Sequence, residues 1–132
     1  MPTVLISGSR HVATRTALPQ EITDSLDRIM ALGFDIVVGD APGIDSQVQW
    51  YLKHKDYQKV TVYYAVFGKH TKPRNNYGFP SIPINGNYTE RDKVMCAIAD
   101  YGLAIWNGHS KGTLANIQRV PKTRVFRVLY QP

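Results

Sequence analysis

Arg91-Asp92-Lys93-Val94-Met95, followed by Ala99-Asp100-Tyr101-Gly102-Leu103-Ala104-Ile105-Trp106 and then Gly108-His109-Ser110-Lys111-Gly112-Thr113, is the stretch on which the fold turns. It reads as a helix bearing an arginine, a buried strand, and a loop of small residues that opens another helix. An α/β protein builds a phosphate pocket in this way, because such a loop brings backbone N–H groups and the positive end of a helix to one sheet edge. The ligand expected from this stretch is nucleotide-like.

Working outward, strands and helices alternate along the whole chain. Thr3 to Ser7 is a short apolar strand closed by Gly8-Ser9-Arg10. After a polar connection Ile22, Leu26, Ile29 and Met30 recur at helical spacing, with Pro19 near the start and Gly33 as the stop. Phe34 to Val38 is a second strand, ended by Gly39-Asp40-Ala41-Pro42-Gly43, and a helix follows from about Ile44 to Lys55. Lys59 to Phe67 is β-branched and aromatic, hence a third strand.

Gly68 to Asn87 shows no period and is rich in Gly, Pro, Asn and Lys, which predicts a lid, a binding loop or a disordered insert. Thr89 is expected to begin the next helix, with Asp92 completing a capping-box-like pair and Val94, Met95 and Ile98 packing inward. Tyr101 to Trp106 is then a strand, Thr113 to Val120 a short helix ended by Pro121, and Arg124 to Tyr130 a last strand. With right-handed crossovers, five mainly parallel strands predict a single Rossmann-like doubly wound α/β domain over residues 1–132, in the order 3-2-1-4-5. The order reverses between the first and fourth strands, so Gly8-Ser9-Arg10 and Gly108 to Thr113 should meet in a crevice there. The last strand alternates as a half-wet edge strand does, which also suits a dimer contact, so a homo-oligomer is among the expected partners.

Composition narrows the class. A chain of 132 residues buries roughly two-thirds of its unfolded surface and needs no metal or disulfide to fold. A single cysteine, Cys96, excludes an internal disulfide and suits a reducing compartment. No apolar run approaches membrane-spanning length, so the expectation is a cytoplasmic protein with no membrane partner. The formal charge of +6 favours anionic partners, although the basic residues are spread from Arg10 to Arg127 without a dense block.

Three loops at the carboxyl edge of the sheet carry glycine or serine. Gly108 to Thr113 is the best equipped, with main-chain donors, the hydroxyls of Ser110 and Thr113, and the cation of Lys111. An anion at such a helix end gains about 0.3–1 kcal/mol, rising to roughly 2 when partly buried. The loop is not a Walker loop, and as ordinary turn chemistry Thr113 would cap the helix. Arg91 lies in the first turn of its helix, where its charge opposes the dipole, so an arginine there suggests an anion to pair with; otherwise Glu90 or Asp92 would neutralise it. In Gly39 to Asp45, Asp45 is equally a helix cap or a group for ribose hydroxyls or proton transfer, whereas Asp40 reads as an Asx-turn. His11, His54, His70 and His109 lack metal-ligand spacing, and no metal is expected. Cys96 reads as a core filler, and Trp106 as core or as a platform for a base.

Taken together, Gly8-Ser9-Arg10, Gly39-x-Ala41-x-Gly43-Ile44-Asp45, Arg91-Asp92-x-x-Met95, Ala99-Asp100 and Ser110-Lys111-Gly112-Thr113 resemble the SLOG superfamily of Rossmann-like nucleotide-binding domains. The likeness covers nearly the whole chain. That superfamily includes the Lonely-guy phosphoribohydrolases, the DNA-processing protein A, and stand-alone members thought to sense nucleotide derivatives. The phosphoribohydrolases carry Pro-Gly-Gly-x-Gly-Thr-x-x-Glu; laid on Gly112-Thr113, that pattern puts Asn116 at the catalytic glutamate. An amide is neither acid nor base at neutral pH. The resemblance therefore implies a nucleotide or nucleotide-derived ligand bound without this hydrolysis, its phosphate among Gly8, Ser9, Arg10, Arg91 and Ser110 to Thr113, its sugar or base near Asp45 or Trp106; no cofactor is expected. An N-glycosidase using Asp45 or Glu90 is the alternative. Single-stranded DNA in a groove with Lys69, Lys72, Arg74, Tyr77 and Phe79 is a third reading.

Overall fold

The computed structural model of the chain describes residues 1–11 and 18–129. The elements run β1 (Thr3–Gly8), α1 (Gln20–Ala31), β2 (Asp35–Gly39), α2 (Ile44–His54), β3 (Val60–Val66), β4 (Ser81–Asn85), α3 (Tyr88–Ile98), β5 (Tyr101–Trp106), α4 (Lys111–Arg119) and β6 (Thr123–Arg127). The strands form one sheet in the order β4-β3-β2-β1-β5-β6, and every neighbouring pair is parallel.

Among the described residues the expected five strands are thus six. The five read from the sequence keep their predicted relative order, and β4, inside the stretch expected to be structureless, adds beyond β3. Its sequence, Ser81-Ile82-Pro83-Ile84-Asn85, hides it. A proline interrupts the run and no residue of it is fully buried, which is tolerable only at a sheet edge where half of the backbone groups need no strand partner.

The strand pleat sorts the core into two layers. Val4 and Ile6 of β1 and Ile36 and Val38 of β2 pack with Ile22 and Leu26 of α1 and Ile44, Val48 and Leu52 of α2. The intervening Leu5 and Val37 point the other way, toward Met95 and Cys96 of α3 and Val120 after α4. Each fully buried Val, Leu, Ile or Met contributes about 1.5–3 kcal/mol, and the alternation fixes which helices cover which face. Ile98, expected to face inward, is 44 % exposed because α3 ends there and the chain turns into β5.

The helix ends also differ in detail. Gly33 closes the turn after α1 with a φ of 73°. Asn87, not Thr89, caps α3, accepting from the Glu90 N–H at 3.0 Å, and Asp92 pairs sideways with Arg91 instead of capping. Ser110, not Thr113, caps α4, accepting from the Thr113 N–H at 3.3 Å. Beyond β6 the Val128 N–H donates to the Trp106 carbonyl, while Tyr130, expected in the last strand, lies outside the described residues. Among the described residues no helix is long and apolar enough to cross a membrane.

Candidate functional site

Parallel strands point the same way, so the loops after β1, β2 and β5 all emerge at one edge, and the crossover reversal leaves a crevice between β1 and β5. Ser9 ties these loops together. It is fully buried; its N–H donates to Ile105, its carbonyl accepts from Ile44, and its hydroxyl accepts from the Asn107 N–H at 3.0 Å. Close approach here requires glycine. Gly43 sits at a φ of 84°, and a β carbon on it would lie 2.7 Å from the Ser9 carbonyl oxygen. A β carbon on Gly8 would collide with the Ile44 side chain.

A cavity of about 180 Å³ opens over this junction. Of the residues singled out in the sequence, Gly8, Arg10, Gly39, Asp45, Arg91, Ser110, Gly112 and Thr113 line it. The others do not. Ser9 and Gly43 lie beneath as scaffold. Gly108, with a φ of 83°, packs against the Arg127 guanidinium, and Trp106 donates from Nε1 to the Ser110 carbonyl at 2.9 Å while its ring lies beside Arg127. Lys111 and Glu90 point outward at the starts of their helices and are exposed. The wall residues that no sequence signal assigns to the pocket include Arg74, Tyr88, Asp92 and Asn116.

Arg91 is only 6 % exposed. Its Nη1 donates to Asp40 Oδ1 at 2.7 Å, and its Nε and Nη2 donate to Asp92 Oδ1 at 3.1 and 2.9 Å. Arg74 meets the same Asp40 carboxylate, from Nη2 to Oδ1 at 3.0 Å, from Nε to Oδ2 at 3.3 Å, and from its backbone N–H to Oδ2 at 2.8 Å. Asp40 is therefore the common anchor of two arginines rather than an Asx-turn. Burial alone would push its carboxyl up, but Arg74 and then Arg91 hold it below the usual range. Burial would likewise lower the Arg91 value, and the surrounding Asp92, Asp45 and Asp40 raise it instead. Both guanidiniums approach the Tyr88 ring, at 4.3 Å for Arg74 and 5.4 Å for Arg91.

Asp45 behaves differently. It is 5 % exposed and accepts from the Ala41 N–H at 3.2 Å, so it braces the loop after β2 rather than capping α2. No cation stands within ion-pair distance of it among the described residues. Burial pushes its carboxyl up to about 7, with Arg91 acting against that and Asp92 adding to it. A carboxyl that exchanges a proton near neutral pH in a cavity wall is suited to general acid–base work.

Across the cavity, the N–H groups of Lys111 and Gly112 at the start of α4 have no acceptor among the described residues, which is the donor pattern an anion completes. Asn116, where the resemblance puts a glutamate, lines the wall with its Oδ1 accepting from Cys96 Sγ and Arg119 Nη1. Among the described residues no group of three or more His, Cys, Asp or Glu side chains is arranged to hold a metal ion. Of the proposed DNA groove, Phe79 is buried in the core and Tyr77 bonds Ser46, whereas Lys69 and Lys72 are exposed.

Comparison of the chain with protein-family models, with curated proteins and with solved structures gave no match.

Proposed function

We propose that this protein binds a nucleotide or nucleotide-derived small molecule at the carboxyl edge of the sheet, with the ligand's phosphate in the cavity beside Arg91. The observation that carries the reading is a nearly buried guanidinium in a cavity wall facing the N-terminus of α4. Burying an arginine is costly unless its charge is paired; Asp40 and Asp92 pair this one, Asp92 as its sequence neighbour was expected to, and they still leave one N–H on each terminal nitrogen for a ligand. The resemblance to the SLOG superfamily supports the same reading from the sequence side. Mass spectrometry of small molecules released from natively purified protein tests it. A co-purifying nucleotide that Arg91→Lys protein no longer retains is the expected result; protein that carries no ligand and binds none of a nucleotide panel would overturn it.

Asp45 favours one second reading, hydrolysis of a nucleotide N-glycosidic bond. Protonated, the carboxyl donates to the departing base; ionised, it takes a proton from water attacking the anomeric carbon. Glu90, the other carboxylate considered, is exposed and off the cavity wall. Release of free base from nucleoside monophosphates, lost in Asp45→Asn, would establish this activity. Silence over a broad panel leaves binding alone.

A further inference from the structure

The segment between β3 and β4 does more than connect strands. Asn75 Nδ2 donates to the carbonyl of Asp40, Gln49 Nε2 of α2 donates to the Asn75 carbonyl at 3.3 Å and to the Gly39 carbonyl at 2.8 Å, and Phe79 is buried in the core. These bonds strap residues 74–79 over the loop after β2 and deliver Arg74 to the cavity wall. The Arg74 side chain is 25 % exposed, against 7 % for Arg91 and 3 % for Asp40, so it forms the outer lip of the site.

We propose that Arg74 is a second ligand-contacting arginine, and that the pair Arg74 and Arg91, held on the single carboxylate of Asp40, selects a ligand ending in a phosphate monoester over one esterified on both sides. This rests on the reading of the cavity as a phosphate site. The two guanidiniums bond one and the same oxygen, Asp40 Oδ1, which keeps two like charges adjacent when they would otherwise separate. Arg74 Nη1 has no partner among the described residues, so its N–H groups remain for a ligand.

Donors consequently converge from three sides: Arg74 on the strap, Arg91 on α3, and the open N–H groups at the start of α4. A terminal phosphate offers three non-bridging oxygens, one to each side, and a charge of about −1.5 to −2 at neutral pH. A diester offers two and must turn a carbon substituent toward the third set of donors, leaving them unsatisfied. The cavity's volume of about 180 Å³ also suits an end group rather than a chain passing through. Asp40 is then a positioning residue that never touches the ligand.

Phosphorus NMR titrations at pH 7.5 with methyl phosphate and dimethyl phosphate test the proposal. Wild-type protein should bind the monoester at least about ten-fold more tightly, the scale of one charge-assisted hydrogen bond. Arg74→Gln should lose most of that preference in protein that is still folded at the titration temperature, as its melting curve checks, while Arg91→Gln weakens both esters. Asp40→Asn, which keeps both arginines but loosens their common anchor, should also narrow the ratio. Equal binding of the two esters by wild type, or an unchanged ratio in Arg74→Gln, would overturn the proposal. The two readings separate cleanly: a nucleotide bound with no role for Arg74 removes this inference alone, whereas an Arg74-dependent preference for methyl phosphate without nucleotide binding removes only the nucleotide reading.

Discussion

Asp40 and Arg91 form a buried ion pair, Oδ1 to Nη1 at 2.7 Å, between the end of β2 and the first turn of α3, positions far apart in the chain. The pair joins the two sides of the cavity. Because Arg91 also satisfies Asp92, it is as much a structural keystone as a ligand contact.

Removing Arg91 therefore does not leave the fold untouched. Arg91→Ala strands Asp92 and leaves Asp40 to Arg74 alone, and breaking this buried pair is expected to cost about 3–5 kcal/mol. Arg91→Lys keeps the charge but loses the planar fork, so it should retain more stability than alanine while losing ligand affinity. Urea denaturation beside a binding titration separates the two losses; equal stability of the alanine variant and the wild type would refute the pairing.

Asp45 makes stability depend on pH. Its carboxyl, moved by burial from an ordinary 3.8 to about 7, holds its proton longer in the folded chain than in the unfolded one. Between those values the folded state binds more protons, so this contribution is fully present below the unfolded value and is lost as pH rises through the folded one. The span corresponds to on the order of 4 kcal/mol. Asp45→Asn should be more stable than wild type at pH 8 by more than at pH 5, read from melting temperatures. A gap independent of pH would show that Asp45 is ionised throughout.

Ligand binding should be proton-linked through the same carboxyl. An anion arriving beside Asp45 favours its neutral form, so binding takes up protons and affinity falls as pH rises from 7 to 8.5. Calorimetry in buffers of different ionisation enthalpy counts the protons. In Asp45→Asn the buffer dependence over that range should vanish.

Gly39 is a sensitive point in the wall. A β carbon there would lie 2.7 Å from Asp45 Oδ2 and 3.0 Å from Arg91 Cζ, so Gly39→Ala must displace both charged side chains. A loss of about 1–3 kcal/mol in stability is expected from such overpacking, with a larger fractional loss of ligand affinity. Wild-type affinity in this variant would place the ligand elsewhere.

Gly43 tests the scaffold instead. Gly43→Ala meets a φ of 84° and the Ser9 carbonyl, and should cost on the order of 1–3 kcal/mol in denaturant unfolding. Little change would mean that the loops after β1 and β2 can separate without cost.

Local pattern carried much of this fold. Ile22, Leu26 and Met30 announce a helix, and the apolar runs from Thr3 and from Phe34 announce strands, because burying one face imposes a period that neighbours in sequence display. Ser81 to Asn85 shows no such period, since an edge strand with an internal proline buries little. The place of Arg74 and Tyr88 in the pocket is illegible for another reason: nothing in their neighbours signals that a strap will fold back onto Asp40. Asp40 itself looks like any turn aspartate until Arg74 and Arg91 arrive from 34 and 51 residues away.

The sequence by itself determined the α/β class, the relative order of five strands, and the small-residue loops that had to meet at the sheet's carboxyl edge, because these follow from periodicity and crossover handedness. Only the tertiary structure decided which side chains face the cavity, that Asp40 anchors two arginines, and that Asp45 loses solvent enough to titrate near 7. Desolvation and charge pairing depend on what the distant chain brings alongside, and no local spacing of residues encodes that.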